Sequence, residues 1–343
     1  MTIAADTRSV TPVPFAAELT PVLDALAANP QPPLSRETLA HAREGAATMF
    51  PSAADLIGER PIDVEERVIP GPAGAPTVEI TVLSPRGLDR ATAGVPALYN
   101  IHGGGMIVGH RSWENGRLID LVAELGVVAV NVEYRLAPED PFPAGVEDCY
   151  AGLVWLSEHA AELGIDPARI VVMGGSAGGG FSAAVSLLAR DRRGPELAGQ
   201  LLLCPMLDNT NTTVSSHQYA GLGTWTREAN LLAWGCVLGD DLAFSDAASS
   251  YASPTRSGDL TGLPRHSSRW APPRRSATKT SSTRAESGRS AVRPSCMCGR
   301  ADSTASTSTP PRAKSRRPPS PRARPGCAAS SISDLPTPRA VTA

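Results

Sequence analysis

Cysteine is scarce in this chain of 343 residues, charge of either sign is nearly balanced, and no long apolar run occurs. Six cysteines over this length do not make a disulfide framework. Cys149, Cys204 and Cys236 fall in apolar surroundings, where small buried thiols are expected, and a reducing, cytoplasmic setting follows. Met1 to Pro12 mixes Asp6, Arg8, Thr and Pro, with no apolar stretch behind it to serve as a secretory h-region or to span a bilayer, so no membrane association is expected. Cys296-x-Cys298 with Cys327 matches no common zinc spacing and has no histidine nearby, so no metal is expected. The net charge of −2 points to no particular partner, nucleic acid included.

That balance averages two unlike segments. From Arg265 onward there are 16 Lys and Arg against 3 Asp and Glu, whereas residues 1–264 hold 16 basic and 31 acidic groups. After Trp270 the tail has no Phe or Tyr, and Val292, Met297, Ile332, Leu335 and Val341 are its large aliphatics. Arg, Ser, Pro, Thr and Ala make up most of the rest, too little apolar surface to offset the entropy of ordering it. Disorder is expected over 265–343. Such a basic tail could attract nucleic acid or a membrane surface by charge alone, but it replaces a required part of the preceding domain, and no such partner is expected.

Upstream, the pattern is that of an α/β protein. Phe15 to Ala28 sets Phe15, Leu19, Leu23 and Leu26 at helical spacing, and Ser35-x-x-Thr38 opens a second helix running to Met49. Residues 1–60 are read as N-terminal lid helices. Val78–Leu83 alternates as a strand; Pro96–Ile101, Val127–Val132, Ile170–Met173 and Gln200–Leu203 read as buried strands. Helical stretches at Trp113–Leu125, Val146–Leu163 and Gly179–Arg190 separate or follow them, which predicts a mostly parallel sheet with helices on both faces over 61–264. Residues 208–241, with Trp225, Leu231, Leu232 and Trp234, interrupt this rhythm as a second lid element.

Two glycine clusters stand at the C-terminal ends of strands, where open α/β sheets place their sites. Gly174-Gly175-Ser176-Ala177-Gly178 fits Gly-x-Ser-x-Gly between a strand and a helix. A serine hydroxyl is a poor nucleophile unless held exposed beside a base. The sharp turn that exposes it needs small neighbours, and the following helix aims N–H groups at developing negative charge. His102-Gly103-Gly104-Gly105 follows an earlier strand, and its glycines let bare N–H groups approach an oxyanion. A phosphate loop is the competing reading, but the Lys-Ser/Thr pair is missing, and no cofactor is expected. His102 is read as an anchor of its loop rather than as the catalytic base.

These two motifs occur in order with Tyr134-Arg-Leu-Ala-Pro-Glu139, Pro141-Phe-Pro-Ala144, Asp166-Pro167, Arg169-Ile170 and Gly179. Together they resemble the hormone-sensitive-lipase-like branch of α/β-hydrolase esterases, over roughly Val78 to Leu263. The resemblance implies the α/β-hydrolase fold, with Ser176 as nucleophile and the N–H groups of Gly104, Gly105 and Ala177 as oxyanion hole. It also implies motif support from His102, Gly103, Gly174 and Gly178, and a small, short-acyl ester as substrate. Gly175 stands where many members have Asp, and Asp140 where many have His. Arg135 and Glu139 read as structural ion-pair residues.

A serine esterase also needs an acid and a histidine, in this fold after the nucleophile. Only His217 and His266 follow Ser176; the first lies in the lid element, the second too soon after the fifth strand. Two further strands, each delivering one triad member, are not found after Thr261-Gly-Leu-Pro264. The tail reads instead as the normal coding region in a shifted frame. Taking the third base of each codon with the first two of the next from His266, synonymous choices allow Leu-Ile-Glu-Val-Gly-Ser-Ala-Glu-Thr-Phe-Arg-Asp-Glu-Asp. Further on they allow Gly-Gly-Phe-His-Gly-Phe-Asp, with the His codon spanning Ser303 and Thr304. Both strings resemble the family's acid-bearing and histidine-bearing segments, the acid spanning Pro273 and Arg274. The expected function is therefore ester hydrolysis through an acyl-enzyme, with very low turnover in this chain. A non-catalytic small-molecule-binding homologue is the alternative, and a chain that folds poorly is the third possibility.

Overall fold

A computed structural model describes residues 14–28, 32–218, 220–221 and 223–269. The disorder expected over 265–343 and the cysteines beyond residue 295 therefore fall, from residue 270 on, outside the described residues.

Among the described residues, seven strands form one sheet in the order β1-β2-β4-β3-β5-β6-β7. They are β1 (Ile62–Ile69), β2 (Val78–Pro85), β3 (Val95–Ile101), β4 (Val128–Val132), β5 (Ile165–Gly175), β6 (Gly199–Leu203) and β7 (His266–Arg269). β1 and β2 pair antiparallel, as do β2 and β4; the remaining pairings are parallel. Strand β4, Val-Ala-Val-Asn-Val, is buried at every position, as its nearly all-apolar run predicts. Its one polar residue is matched by a neighbour: Asn100 Nδ2 donates to Asn131 Oδ1 at 2.8 Å, and Asn131 Nδ2 donates to the Arg111 carbonyl at 2.7 Å. A buried amide left without such partners would cost about 1–3 kcal/mol.

Helices cover both faces. α5 (Ala144–Glu158) and α6 (Ala177–Asp191) pack on one side with Ala97, Tyr99, Ile101, Val130 and Val172. α4 (Asn115–Leu125) covers the other through Leu118, Ile119 and Val122. α3 (Ala53–Ile57) buries Ala53 against this second layer, so it belongs there rather than with α1 (Thr20–Ala28) and α2 (Leu39–Met49). The segment after β6 carries α7 (Val214–Gln218) and α8 (Arg227–Leu238), within the stretch read as an insertion. Among the described residues, no helix is long and apolar enough to cross a membrane.

Three features differ from the sequence reading. β1 was not anticipated, because Glu65, Glu66 and Arg67 break its apolar pattern; as an edge strand it leaves Glu66 exposed and the other two half-buried, and Glu65 pairs with Arg67 at 2.6 Å. Cys204 is exposed rather than buried, because it stands just past the end of β6 at a φ of +39°. A strand does follow Pro264: β7 adds to β6 with Gln200 opposite His266 and Leu203 opposite Arg269. It escaped detection because His-Ser-Ser-Arg has no apolar side chain, and backbone pairing alone defines it.

Candidate active site

The sharp turn from β5 into α6 sets Ser176 at φ 57°, ψ −119°, a conformation that costs an L-residue on the order of 1–3 kcal/mol and persists only when its surroundings impose it. Three backbone bonds impose it here. Ser176 N–H donates to the Leu203 carbonyl at 2.8 Å, and the Ser176 carbonyl accepts from Met206 N–H at 2.8 Å and Gly180 N–H at 3.1 Å. Close packing supplies the rest: a Cβ at Gly178 would stand 1.9 Å from the Ile101 carbonyl oxygen, so α6 approaches the end of β3 only because 178 is glycine. A Cβ at Gly174 would lie 2.7 Å from the same oxygen. Gly175 is different, since a Cβ there would meet only Glu114 Oε1, at 4.0 Å.

The His102–Gly105 loop leaves β3 directly beside this turn. A Cβ at Gly103 would be 3.1 Å from the Gly175 carbonyl oxygen and 3.5 Å from Ser176 Cβ. The two glycine clusters, distant in sequence, are thus side by side. The loop turns through Gly104 at φ +117° and Gly105 at φ +63°, closed by Val108 N–H donating to the Gly104 carbonyl at 3.0 Å. The N–H groups of Gly104, Gly105 and Ala177 form no hydrogen bond with another described residue.

His102 is fully buried beneath the loop. Its Nδ1–H donates to the Gly103 carbonyl at 2.8 Å, its ring stacks on Tyr134 with centroids 4.1 Å apart, and Tyr134 OH donates to its carbonyl at 3.0 Å. Its Nε2 lies 3.4 Å from Glu133 Oε1, at ion-pair rather than hydrogen-bond geometry. Burial would raise the Glu133 carboxyl, but contact with and charge from His102, with the Arg111 backbone N–H, outweigh it and hold the group below the ordinary 4.5. His110, on the other side of Glu133, is pushed below its ordinary 6.5 chiefly by burial, against the pull of Glu133.

Two arginines fasten the surrounding segments. Arg43 of α2 donates from Nε to the Ile107 carbonyl at 2.8 Å, from Nη2 to the Ala137 carbonyl at 2.6 Å, and from Nη1 to Glu139 at 2.7 Å. Arg135 grips Asp148 through Nε and Nη2, both at 2.8 Å, and its Nη1 reaches Asp140 at 3.3 Å. Hydrogen bonding to Asp148 raises the guanidinium's pKa further. Arg135 and Glu139 are thus ion-paired as expected. Arg43 and Asp148 were not singled out from sequence; an aspartate within the apolar run of α5 was the available signal for the second, and Arg43 carried none.

All six histidines lie among the described residues. His41 is exposed beside Glu44, and His159 donates to the Trp155 carbonyl at 2.9 Å while stacking on its ring. His217 lies in the last turn of α7 and forms no hydrogen bond or ion pair with another described residue. His266 faces Gln200, three residues before Leu203 meets the turn, or about 10 Å back along the sheet. The Ser176 hydroxyl forms no hydrogen bond with another described residue. Also among the described residues, no cluster of three or more His, Cys, Asp or Glu could hold a metal ion.

Comparison with known proteins adds to this geometry. The family model described as alpha/beta hydrolase fold matches residues 98–267. The chain is 38% identical over 172 residues to the carboxylesterase NlhH of Mycobacterium tuberculosis, covering 50% of this chain and 53% of that one. It is 39% identical over 150 residues to the esterase LipI of the same species, covering 43% and 46%. The chain spans about half the length of the curated relatives it matches. Among solved structures, a bacterial heroin esterase superposes with a TM-score of 0.64 at 38% identity, covering 72% of this chain and 78% of that one. An esterase of the archaeon Pyrobaculum calidifontis superposes with a TM-score of 0.64 at 32% identity, covering 74% and 79%.

Proposed function

From the premise that this chain belongs to the α/β-hydrolase fold family, we propose that it is built as a serine carboxylesterase for small, short-acyl esters. The observation that carries this reading is the nucleophile turn lying against a glycine loop, with the N–H groups of Gly104, Gly105 and Ala177 unspent. Ser176 Oγ attacks the ester carbonyl carbon and the carbonyl oxygen becomes an oxyanion held by those N–H groups, a role in which one donor is typically worth about 3 kcal/mol. Collapse expels the alcohol, whose oxygen takes the proton that Ser176 lost, and leaves the acyl group on Ser176; water then releases the acid. Gly174, Gly178 and Gly103 allow the close packing this needs, and His102 holds the loop. α2, through Arg43, and the segment of α8, through Trp225, act as the cover. A cytoplasmic setting goes with the buried thiols of Cys149 and Cys236.

The same reading makes turnover in this chain very low. Attack requires that the Ser176 proton be taken up, and none of the six histidines is hydrogen-bonded to it. Without that base, the oxyanion hole and binding sustain a residual rate of roughly 10³–10⁴ over water. We attribute the missing acid and histidine to translation of 265–343 in a shifted frame. Sequencing the gene from the Leu263 codon tests this, and codons incompatible with both shifted strings exclude it. Hydrolysis of p-nitrophenyl acetate and butyrate tests the enzyme. The expected result is slow release with acyl mass collecting on the Ser176 peptide and absent from Ser176→Ala; release at the rates of intact esterases refutes the impairment, and release with no mass on Ser176 refutes the nucleophile.

A further inference from the structure

We infer that Trp225 sets the size of the acyl group accepted, a conclusion that rests on Ser176 and the glycine loop acting as proposed above. The benzo edge of its indole lies directly against Gly105. A Cβ at 105 would stand 2.2 Å from both Cζ2 and Cη2 of Trp225, so the ring fills the space that any side chain there would take. The same point lies 3.4 Å from Ala233 Cβ, which backs the ring from α8.

The other end of the indole is tied down. Its Nε1–H donates to Asn230 Oδ1 at 3.3 Å, and Asn230 Nδ2 donates to Asn211 Oδ1 at 3.1 Å. Both amides are buried, where an unmade hydrogen bond is costly, so the chain resists release of the ring. Thr226 Oγ accepts from Ala229 N–H and caps α8 immediately after the tryptophan, fixing its backbone as well. A half-buried indole on a loop is thereby held like a core residue.

Ester chemistry decides what such a wall borders. When the carbonyl oxygen sits on the loop N–H groups, the two substituents of the carbonyl carbon leave from beside Gly105. The alcohol must depart and needs an open path, whereas the acyl group stays bonded to Ser176 and can be enclosed. Trp225 therefore borders the first carbons of the acyl chain. Acetyl and butyryl groups fit beneath it, and longer chains collide with a ring that cannot swing aside.

The test is single-turnover acylation of the full chain by p-nitrophenyl acetate, butyrate and octanoate. Phenolate release is followed together with the mass added to the Ser176 peptide. Trp225→Ala is expected to raise the octanoate-to-acetate rate ratio about tenfold or more, the scale on which apolar pockets discriminate chain length. Trp225→Phe should fall between, and Asn230→Ala, which frees the ring without removing it, should move the ratio less in the same direction. Cooperative thermal melts identify which variants are folded, and the Phe variant carries the test if the Ala variant is not. An unchanged ratio with Ser176 still acylated overturns the role of Trp225 alone. Absence of added mass on Ser176 in every variant overturns the nucleophile assignment, and this inference with it.

Discussion

The turn around Ser176 and the strand His266–Arg269 belong to one sheet, yet they are held by different means. Around Ser176, backbone is pressed on backbone: β3, β5, α6 and the segment after β6 meet at distances that exclude even a methyl group at Gly178. β7 is held by its pairing with β6, and the side chains of His266 and Ser267 are exposed. The half of the site proposed to stabilise charge is thus over-determined, while the flank that the family resemblance would use for its acid and histidine carries only polar residues. A strand can be recruited by hydrogen bonds alone, but a catalytic side chain needs a packed support behind it.

The contrast can be broken at either end. Gly178→Ala drives a methyl group into the Ile101 carbonyl, and a stability loss of roughly 4 kcal/mol or more is expected by urea titration. A loss under 1 kcal/mol would mean the turn is far looser than these contacts imply. Asp148→Ala strips the buried partner of Arg135, with an expected cost of about 3 kcal/mol. The titratable groups under the loop give a smaller, pH-dependent effect. Both Glu133 and His110 bind protons less readily folded than unfolded, so folding favours their deprotonated forms and stability rises with pH. The His110 contribution is present above 6.5 and the Glu133 contribution above 4.5; each is lost as pH falls below those values. Melting temperature followed from pH 7 to 4 should decline, with His110→Gln flattening the upper part and Glu133→Gln the lower. The smallest effect is expected at the other end: His266→Ala should change stability by less than about 0.5 kcal/mol, because nothing packs on an exposed side chain there. A large loss there would show that β7 has a supporting layer of its own.

Much of this was legible in the sequence because it is local. The turn of Gly174–Gly178, the glycine loop after β3 and the apolar run of β4 each announce themselves within a few residues. What connects them does not. Arg43 reaches three groups far along the chain, and an exposed-looking arginine on a helix gives no sign of that. Charges at Glu65–Arg67 disguised β1, since an edge strand need not bury them fully. β7 lacked any pattern to read. The contact between Trp225 and Gly105 depends on where a loop settles over another loop, which composition and periodicity do not encode.

The paired amides of Asn100 and Asn131, fully buried between β3 and β4, offer a built-in clock. Their side-chain protons can exchange with solvent only when the middle of the sheet opens, whereas surface carboxamides exchange freely. The lifetime of those carboxamide proton resonances in deuterated buffer therefore times the opening of the molecule's centre. It does so whether or not any ester is ever turned over.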